Sequence, residues 1–591
     1  VAADSLTVRW GKLSQTVQLD DLDQFAQTGA VAPSLRLYRP FLTPTLQASL
    51  QSEITLDPSV GLVILDEMLA TPGGTQLLDT LQALVPNLDV IDLRLALDRV
   101  AESQQPLTLI SLLRQLPQET LELNLSALLS LASQAKLAQM ENAALSRVLR
   151  KELAQTPTRQ VPAGLVDPFS TGPFPVERWE LVLRDRNRER DIPVDIYWSE
   201  QTRGPLVLLS HGFGADKRFF AYLAEHLASH GLTVVSVEHP GSNVASLVSL
   251  PSETEEVNAS GSRILPATEF LDRPRDISYV LDRMEKLNIY SYSLRDRLNT
   301  EQVTLIGHSL GGYTGLALAG APLDLRQLDQ TCQQLNPVQL SPSDWLQCAA
   351  LNLPVKYANL KDKRITQLIV TNPLTGQLFG EAGLSKVTVP TLVLASTHDS
   401  VTPIARQQLT PFTQLAGPKY LITAIGGSHL SVGDPDNLNA DLRYIPFMPE
   451  LPDAASSQLR IFLQGISLSF IMQQTPTADA YSGFLSPSYA QAFSTPELPL
   501  GFNLALPDSL TAWPRLQSQS SNNHRASLLA YGPSLMHLEV MAIQEQLQVL
   551  QRQMVAYLRT SPPALTAVYW PRQTSKSQIH AHRLQRNRAT P

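Results

Sequence analysis

The sequence predicts an α/β fold, a mostly parallel sheet of about eight strands wrapped by helices, behind a separate helical unit. Three observations carry this. The apolar run Val303-Thr-Leu-Ile306 feeds through Gly307-His308-Ser309-Leu310-Gly311 into the small-residue stretch Gly312 to Ala319, as a strand turning sharply into a helix would. Short apolar runs near 206, 233, 303, 365, 391 and 419 are separated by helix-like segments, with two more strands around Trp179–Leu183 and Ile192–Tyr197. Ahead of them, residues 1–155 repeat leucine at helical spacing between prolines.

In chain order, the first unit is expected to be all helical. Leu77, Leu78, Leu81 and Leu84 form one stripe, Leu109, Leu112, Leu113 and Leu116 a second, and Leu125, Leu128, Leu129 and Ala132 a third. Such stripes are read as core; docking on an active-site mouth or a lipid interface is the functional alternative. Pro157, Pro162, Pro168, Pro173 and Pro175 mark a stiff linker over 156–178. The sheet domain follows over 179–475, closed by a helix bearing Leu459, Phe462, Leu463, Ile466 and Phe470. An insertion, 321–364, sits where a helical lid would lie, and its Cys332 and Cys348 suit either a clasp across a helical hairpin or two buried thiols. Residues 476–591 read as an irregular extension with one amphipathic helix (Leu547, Leu550, Met554, Leu558) and a basic tail that has no acidic residue after Glu545.

The candidate chemistry centres on Ser309, placed by G-x-S-x-G on a tight turn that projects its hydroxyl. A serine nucleophile needs two backbone N–H groups aimed at the developing oxyanion. Leu310, after the serine, and Phe213, in His211-Gly-Phe-Gly214 at the end of the run Pro205–Ser210, are the candidates. Asp399 follows the run Pro390–Ala395, and His429 lies on a glycine-rich loop after Lys419–Thr423. The order Ser309, Asp399, His429 is that of α/β-hydrolases and not of chymotrypsin or subtilisin. His308 is read as support for the elbow and His398 as shaping the acid's loop. Asp434 and Asp436 are read as solvated loop carboxylates, and Asp272 and Asp276 as acids opening a helix from Ile277.

Several stretches resemble the platelet-activating-factor acetylhydrolase branch of the α/β-hydrolases: Leu209-Ser-His-Gly-Phe-Gly-Ala215 through Phe219-Phe220, Leu227-Ala-Ser-His-Gly231, and Val234-Val-Ser-Val-Glu-His239. The elbow with histidine before serine and Arg273-Pro-Arg-Asp276-Ile are similar to bacterial members. The resemblance spans roughly 165 to 475 and implies a calcium-independent carboxylic-ester hydrolase with serine nucleophile, histidine base and aspartate. One departure is specific. The strand after the elbow, Ile365–Val370, ends in Thr371-Asn372-Pro373, and asparagine carries no charge. The acid therefore moves to Asp399, the site used in dienelactone-hydrolase-like relatives, and the resemblance does not extend to a narrow acetyl specificity. Residues from Val8-Arg-Trp-Gly11 to Leu116 resemble an uncharacterised helical domain that precedes some exported bacterial α/β-hydrolases.

Composition bounds the rest. With 591 residues, 43% hydrophobic and 17% charged, the chain is expected to fold as two or more globular units. A net charge of −8 leaves no electrostatic footprint for nucleic acid. No HExxH or CxxC occurs, so neither zinc nor any other cofactor is expected. The start Val1-Ala-Ala-Asp4 has the small residues that flank a signal-peptide cleavage site, and no apolar run is long enough to span a membrane, so an extracytoplasmic, soluble protein is expected. The leading expectation is a serine esterase or lipase with a lipid-type pocket. A non-catalytic binding protein on the same scaffold, or a peptidase or acyltransferase with the same nucleophile, is the alternative.

Overall fold

Runs such as Pro205–Ser210 and Thr391–Ser396 lack a polar face because both of their faces are covered, as in the middle of a parallel sheet. Every residue of both is buried. The computed structural model describes residues 3–10, 13–53, 72–103, 106–128, 143–153, 166–202, 204–248, 265–333, 341–438 and 451–510. In chain order their strands are β1 (Ser5–Trp10), β2 (Leu13–Gln18), β3 (Thr120–Asn124), β4 (Glu177–Asp185), β5 (Arg190–Trp198), β6 (Pro205–Ser210), β7 (Thr233–Val237), β8 (Asn299–His308), β9 (Leu323–Asp324), β10 (Tyr357–Ala358), β11 (Ile365–Thr371), β12 (Thr391–Ser396), β13 (Lys419–Ala424) and β14 (Leu500–Asn503).

One nine-stranded sheet runs β14-β13-β12-β11-β8-β6-β7-β5-β4. Its six central strands, from β13 to β7, are parallel, and β14, β5 and β4 pair antiparallel at the two edges. The eight expected strands are all there. The ninth, β14, comes from the extension read as irregular: four residues among prolines are too short to show a period of two, and pairing with β13 supplies the order. Helices cover both faces. Phe270, Ile277, Val280 and Met284 of the Glu269–Tyr290 helix and Leu316 of the Leu310–Ala319 helix fill one side. Leu223 and Leu227 of the Ala221–Ser229 helix pack with Leu459, Phe462 and Ile466 of the Asp453–Ile471 helix on the other.

The N-terminal unit is not all helical, which corrects the expectation. Its helices, among them Leu19–Thr28, Val90–Ser103 and Leu109–Gln115, pack with a three-stranded sheet ordered β2-β1-β3. Leu6 and Val8 alternate with polar residues, as do Leu121 and Leu123, but over five or six positions this signal is weaker than the leucine stripes around it. The helix at 143–153, counted by sequence with that first unit, belongs in packing to the large sheet: Leu145 (1% exposed) and Leu149 (3%) join its main core. Residues 166–176 are also tied down, with the Gly172 and Phe174 amides bonded to Ser229.

Within 321–364, the helices Leu325–Gln333 and Pro342–Cys348 are joined by a Cys332–Cys348 disulfide, and β9 and β10 form a short antiparallel ribbon. The helix read near 547–558 and the basic tail lie outside the described residues. Among the described residues no helix is long and apolar enough to cross a membrane.

If helix 143–153 is part of the sheet domain, Leu149→Ala should lower that domain's stability by about 2–5 kcal/mol, as other buried leucine truncations do. A shift of the urea midpoint read at tryptophans of the sheet domain checks this; an unchanged midpoint would refute it.

Candidate functional site

At the end of β8 the chain turns so sharply that Ser309 holds φ 53° and ψ −116°, a region that non-glycine residues rarely occupy. The flanking glycines explain how the turn closes. A Cβ on Gly307 would sit 2.1 Å from the Gly311 carbonyl oxygen, and one on Gly311 would sit 2.0 Å from that of Ser210. Only glycine fits at either place. The serine therefore stands at the tip of the turn with Leu310 as the first residue of the next helix.

β6 neighbours β8, so the loop after β6 lies beside this turn. Among the described residues, neither the Phe213 nor the Leu310 amide donates to another backbone group. The His211 ring is buried beside them. Its Nε2 accepts the His239 amide at 3.1 Å, so Nδ1 carries the proton and donates to the Gly212 carbonyl at 2.6 Å. Burial, then the charge of Arg273, hold this histidine neutral, well below its ordinary pKa.

Asp399 follows β12 and is 1% exposed. Its Oδ1 accepts the amides of Val401 (2.9 Å) and Thr402 (2.7 Å), while Oδ2 accepts the Thr402 hydroxyl (2.6 Å) and His429 Nδ1 (2.8 Å). A carboxylate with this many donors is held in one orientation. His429 lies on the loop after β13 and lines one small cleft together with Ser309. The other walls of that cleft include Phe213, Ala215, Phe219, Leu430 and Leu438. No described residue of 321–364 lines it, although the insertion does touch the acid's loop, where the Ser343 amide donates to the Val401 carbonyl at 3.1 Å.

Of the supports around His429, sequence marks His308 as a supporting residue and Asn372 only as a missing acid, and it does not mark Ser146. Asn372, at the end of β11 with φ 45°, donates from Nδ2 to the carbonyls of Ser428 (3.3 Å) and His429 (3.0 Å). His308 bonds the same His429 carbonyl at 3.0 Å and stacks on Phe219, and burial holds its ring neutral. Ser146, in the helix at 143–153, donates to Thr397 Oγ1 (3.0 Å), which also accepts the Gly426 amide (2.9 Å). That bond ties helix 143–153 to both the acid's loop and the histidine's loop. In sequence, Asp399-Ser-Val-Thr402 carries the one readable hint, an aspartate followed three residues later by a threonine it can bond.

Two readings of other acids change. Asp434 is not a solvated carboxylate: it is 7% exposed and accepts the Tyr222 amide at 3.2 Å, anchoring the histidine's loop to the Ala221–Ser229 helix. Asp276 does not open a helix: the helix starts at Glu269, eight residues before Ile277, so that Asp272 keeps its place in the first turn while Asp276 falls in the interior beyond Pro274. The proline leaves the Phe270 carbonyl without its usual helical donor, and the Tyr313 hydroxyl takes that place at 2.6 Å. Asp276 is fully buried, paired with Arg188 (2.9 Å), Arg190 (3.0 Å) and His239 (3.1 Å). Among the described residues, no group of histidine, cysteine and carboxylate side chains is arranged to hold a metal ion.

Comparison with known proteins adds the following. A family described as "Alpha/beta hydrolase of unknown function (DUF1400)" matches residues 2–124, and one described as "Alpha/beta hydrolase family" matches residues 206–441. The chain is 29% identical over 136 residues to a platelet-activating factor acetylhydrolase of Cavia porcellus, a match covering 19% of the chain and 30% of that protein. It is 22% identical over 271 residues to cutinase 1 of Thermobifida cellulosilytica, covering 46% of the chain and 76% of the cutinase. The chain thus spans about three tenths of the length of the acetylhydrolases it matches.

Asn372→Asp would set a carboxylate against the carbonyl oxygens of Ser428 and His429. It should cost about 1–3 kcal/mol near neutral pH. Such a carboxyl has a folded-state pKa above its unfolded value, so the deficit should shrink as pH falls through that folded pKa. Urea midpoints at neutral and mildly acidic pH check both statements, and equal midpoints for variant and parent would contradict them.

Proposed function

Since the chain belongs to the α/β-hydrolase superfamily, we propose that it is a serine esterase that cleaves carboxylic esters through Ser309, His429 and Asp399. The observation that carries this reading is the strained Ser309 backbone beside a histidine whose Nδ1 is committed to a buried carboxylate. His429 Nε2 takes the hydroxyl proton as Ser309 Oγ attacks the ester carbonyl. The amides of Phe213 and Leu310 hold the tetrahedral oxyanion, and Nε2 then returns the proton to the departing alcohol. Water repeats the two steps on the acyl-enzyme and releases the acid. Asp399 keeps His429 in the Nδ1–H tautomer and stabilises the ring when it is charged.

The apolar cleft beside Ser309 suits an acyl group or a lipid ester, and the esterase names of the relatives support the same substrate class. An extracytoplasmic site of action accords with the Cys332–Cys348 disulfide, a bond that oxidising compartments preserve.

A fluorophosphonate probe should label the wild-type protein and not Ser309→Ala, whose melting temperature should stay close to the parent's. Asp399→Asn should lower nitrophenyl-ester turnover roughly 10⁴-fold, the scale on which a triad loses rate with its acid's charge. Undiminished turnover in either purified variant would overturn the assignment.

A further inference from the structure

Arg273 is 0% exposed, yet it makes no direct ion pair among the described residues. A buried guanidinium costs several kcal/mol unless neighbours satisfy it. Its donors go instead to neutral groups. Nη2 donates to the His211 carbonyl and, at 3.4 Å, to Ser210 Oγ; Nη1 donates to Ser242 Oγ at 2.7 Å; Nε donates to Thr314 Oγ1 at 3.3 Å.

The nearby acids face other partners. Glu269 bonds Arg190 (2.6 Å) and Ser242 (2.6 Å), and Asp276 bonds Arg190 and His239. His239 in turn meets Ser210 Oγ at 2.9 Å. The hydrogen bonds therefore close a ring: Arg273, Ser242, Glu269, Arg190, Asp276, His239, Ser210 and back to Arg273. Burial pulls the Arg273 pKa down to about 10, which still leaves it charged at neutral pH.

Two of these bonds reach the proposed site from opposite sides. His211 lies two residues before Phe213. Thr314 lies in the helix that begins at Leu310 and itself bonds the Leu310 carbonyl at 3.0 Å. We infer that Arg273 is a positioning residue for ester hydrolysis, a single buried cation that fixes the loop carrying the Phe213 amide against the helix carrying the Leu310 amide. The inference rests on the esterase reading and adds the device that sets the spacing of its two oxyanion donors.

The test uses the full chain. Wild type, Arg273→Lys and Thr314→Val are compared for kcat and KM on nitrophenyl acetate, for inhibition by a trifluoromethyl ketone that forms a tetrahedral oxyanion on serine, and for melting temperature. Lysine keeps the charge and loses the planar fork. It should lower kcat about 10- to 100-fold, a fraction of the loss seen when an oxyanion donor is removed outright. KM should stay within about twofold, and the ketone should weaken in step with kcat. Thr314→Val, which removes the helix-side bond from Arg273 together with the hydroxyl's own bond to the Leu310 carbonyl, should lower kcat by a smaller factor while the protein stays folded. Should Arg273→Lys fail to fold, Thr314→Val decides. Full kcat and full ketone affinity in a folded variant would overturn the inference and leave the esterase reading intact. A wild-type protein that neither turns over ester nor accepts the ketone would overturn both.

Discussion

The site depends on one close approach of two backbones, Gly311 against the carbonyl of Ser210, where no side chain has room. That contact presses the turn after β8 onto the end of β6, and the sheet order makes the two strands neighbours. From it follow the strained serine, the nearness of the Phe213 loop to the Leu310 helix, and the cleft between them. A sheet with both faces covered is stiff enough to keep such strain from relaxing. The extra hydrogen bonds on Asp399 and on the His429 carbonyl extend the same stiffness to the other two loops.

Behind the elbow lies a polar interior that an apolar core would have replaced at less cost. Arg188, Arg190, Glu269, Arg273, Asp276, His211 and His239 are packed where the loop after β6 meets the Glu269–Tyr290 helix. Burial, then the neighbouring arginines, hold His239 neutral, so it can accept from Ser210 and donate to Asp276 at once. Each member fixes the orientation of the next, so the loop end of β6 has one arrangement that satisfies them all.

Residues with a strong local signature were legible in sequence. Ser309, Asp399 and His429 each follow a strand with a short apolar run, and a chemically able side chain just beyond such a run stands out in one dimension. The eight strands were legible for the same reason. Residues whose role depends on what lies opposite were not. Asn372 looks like a lost acid until the two carbonyls it faces are known, and Asp434 looks solvated until the Tyr222 amide is placed against it. Pro274 looks like a helix breaker because Tyr313, the hydroxyl that replaces the missing N–H, comes from another helix. The small N-terminal sheet was hidden by its short strands, one of which is separated from its partner by most of the unit.

The seat of helix 143–153 has a bearing on how the polypeptide is made. One of its contacts is made to a group encoded far downstream, since Ser146 meets Thr397 across a separation of 251. At ribosomal speeds of about 5–20 residues per second, Ser146 emerges roughly 12 to 50 s before Thr397 exists. For that interval the seat of the helix is unfinished, and it can close only once the fifth parallel strand, β12, has been delivered.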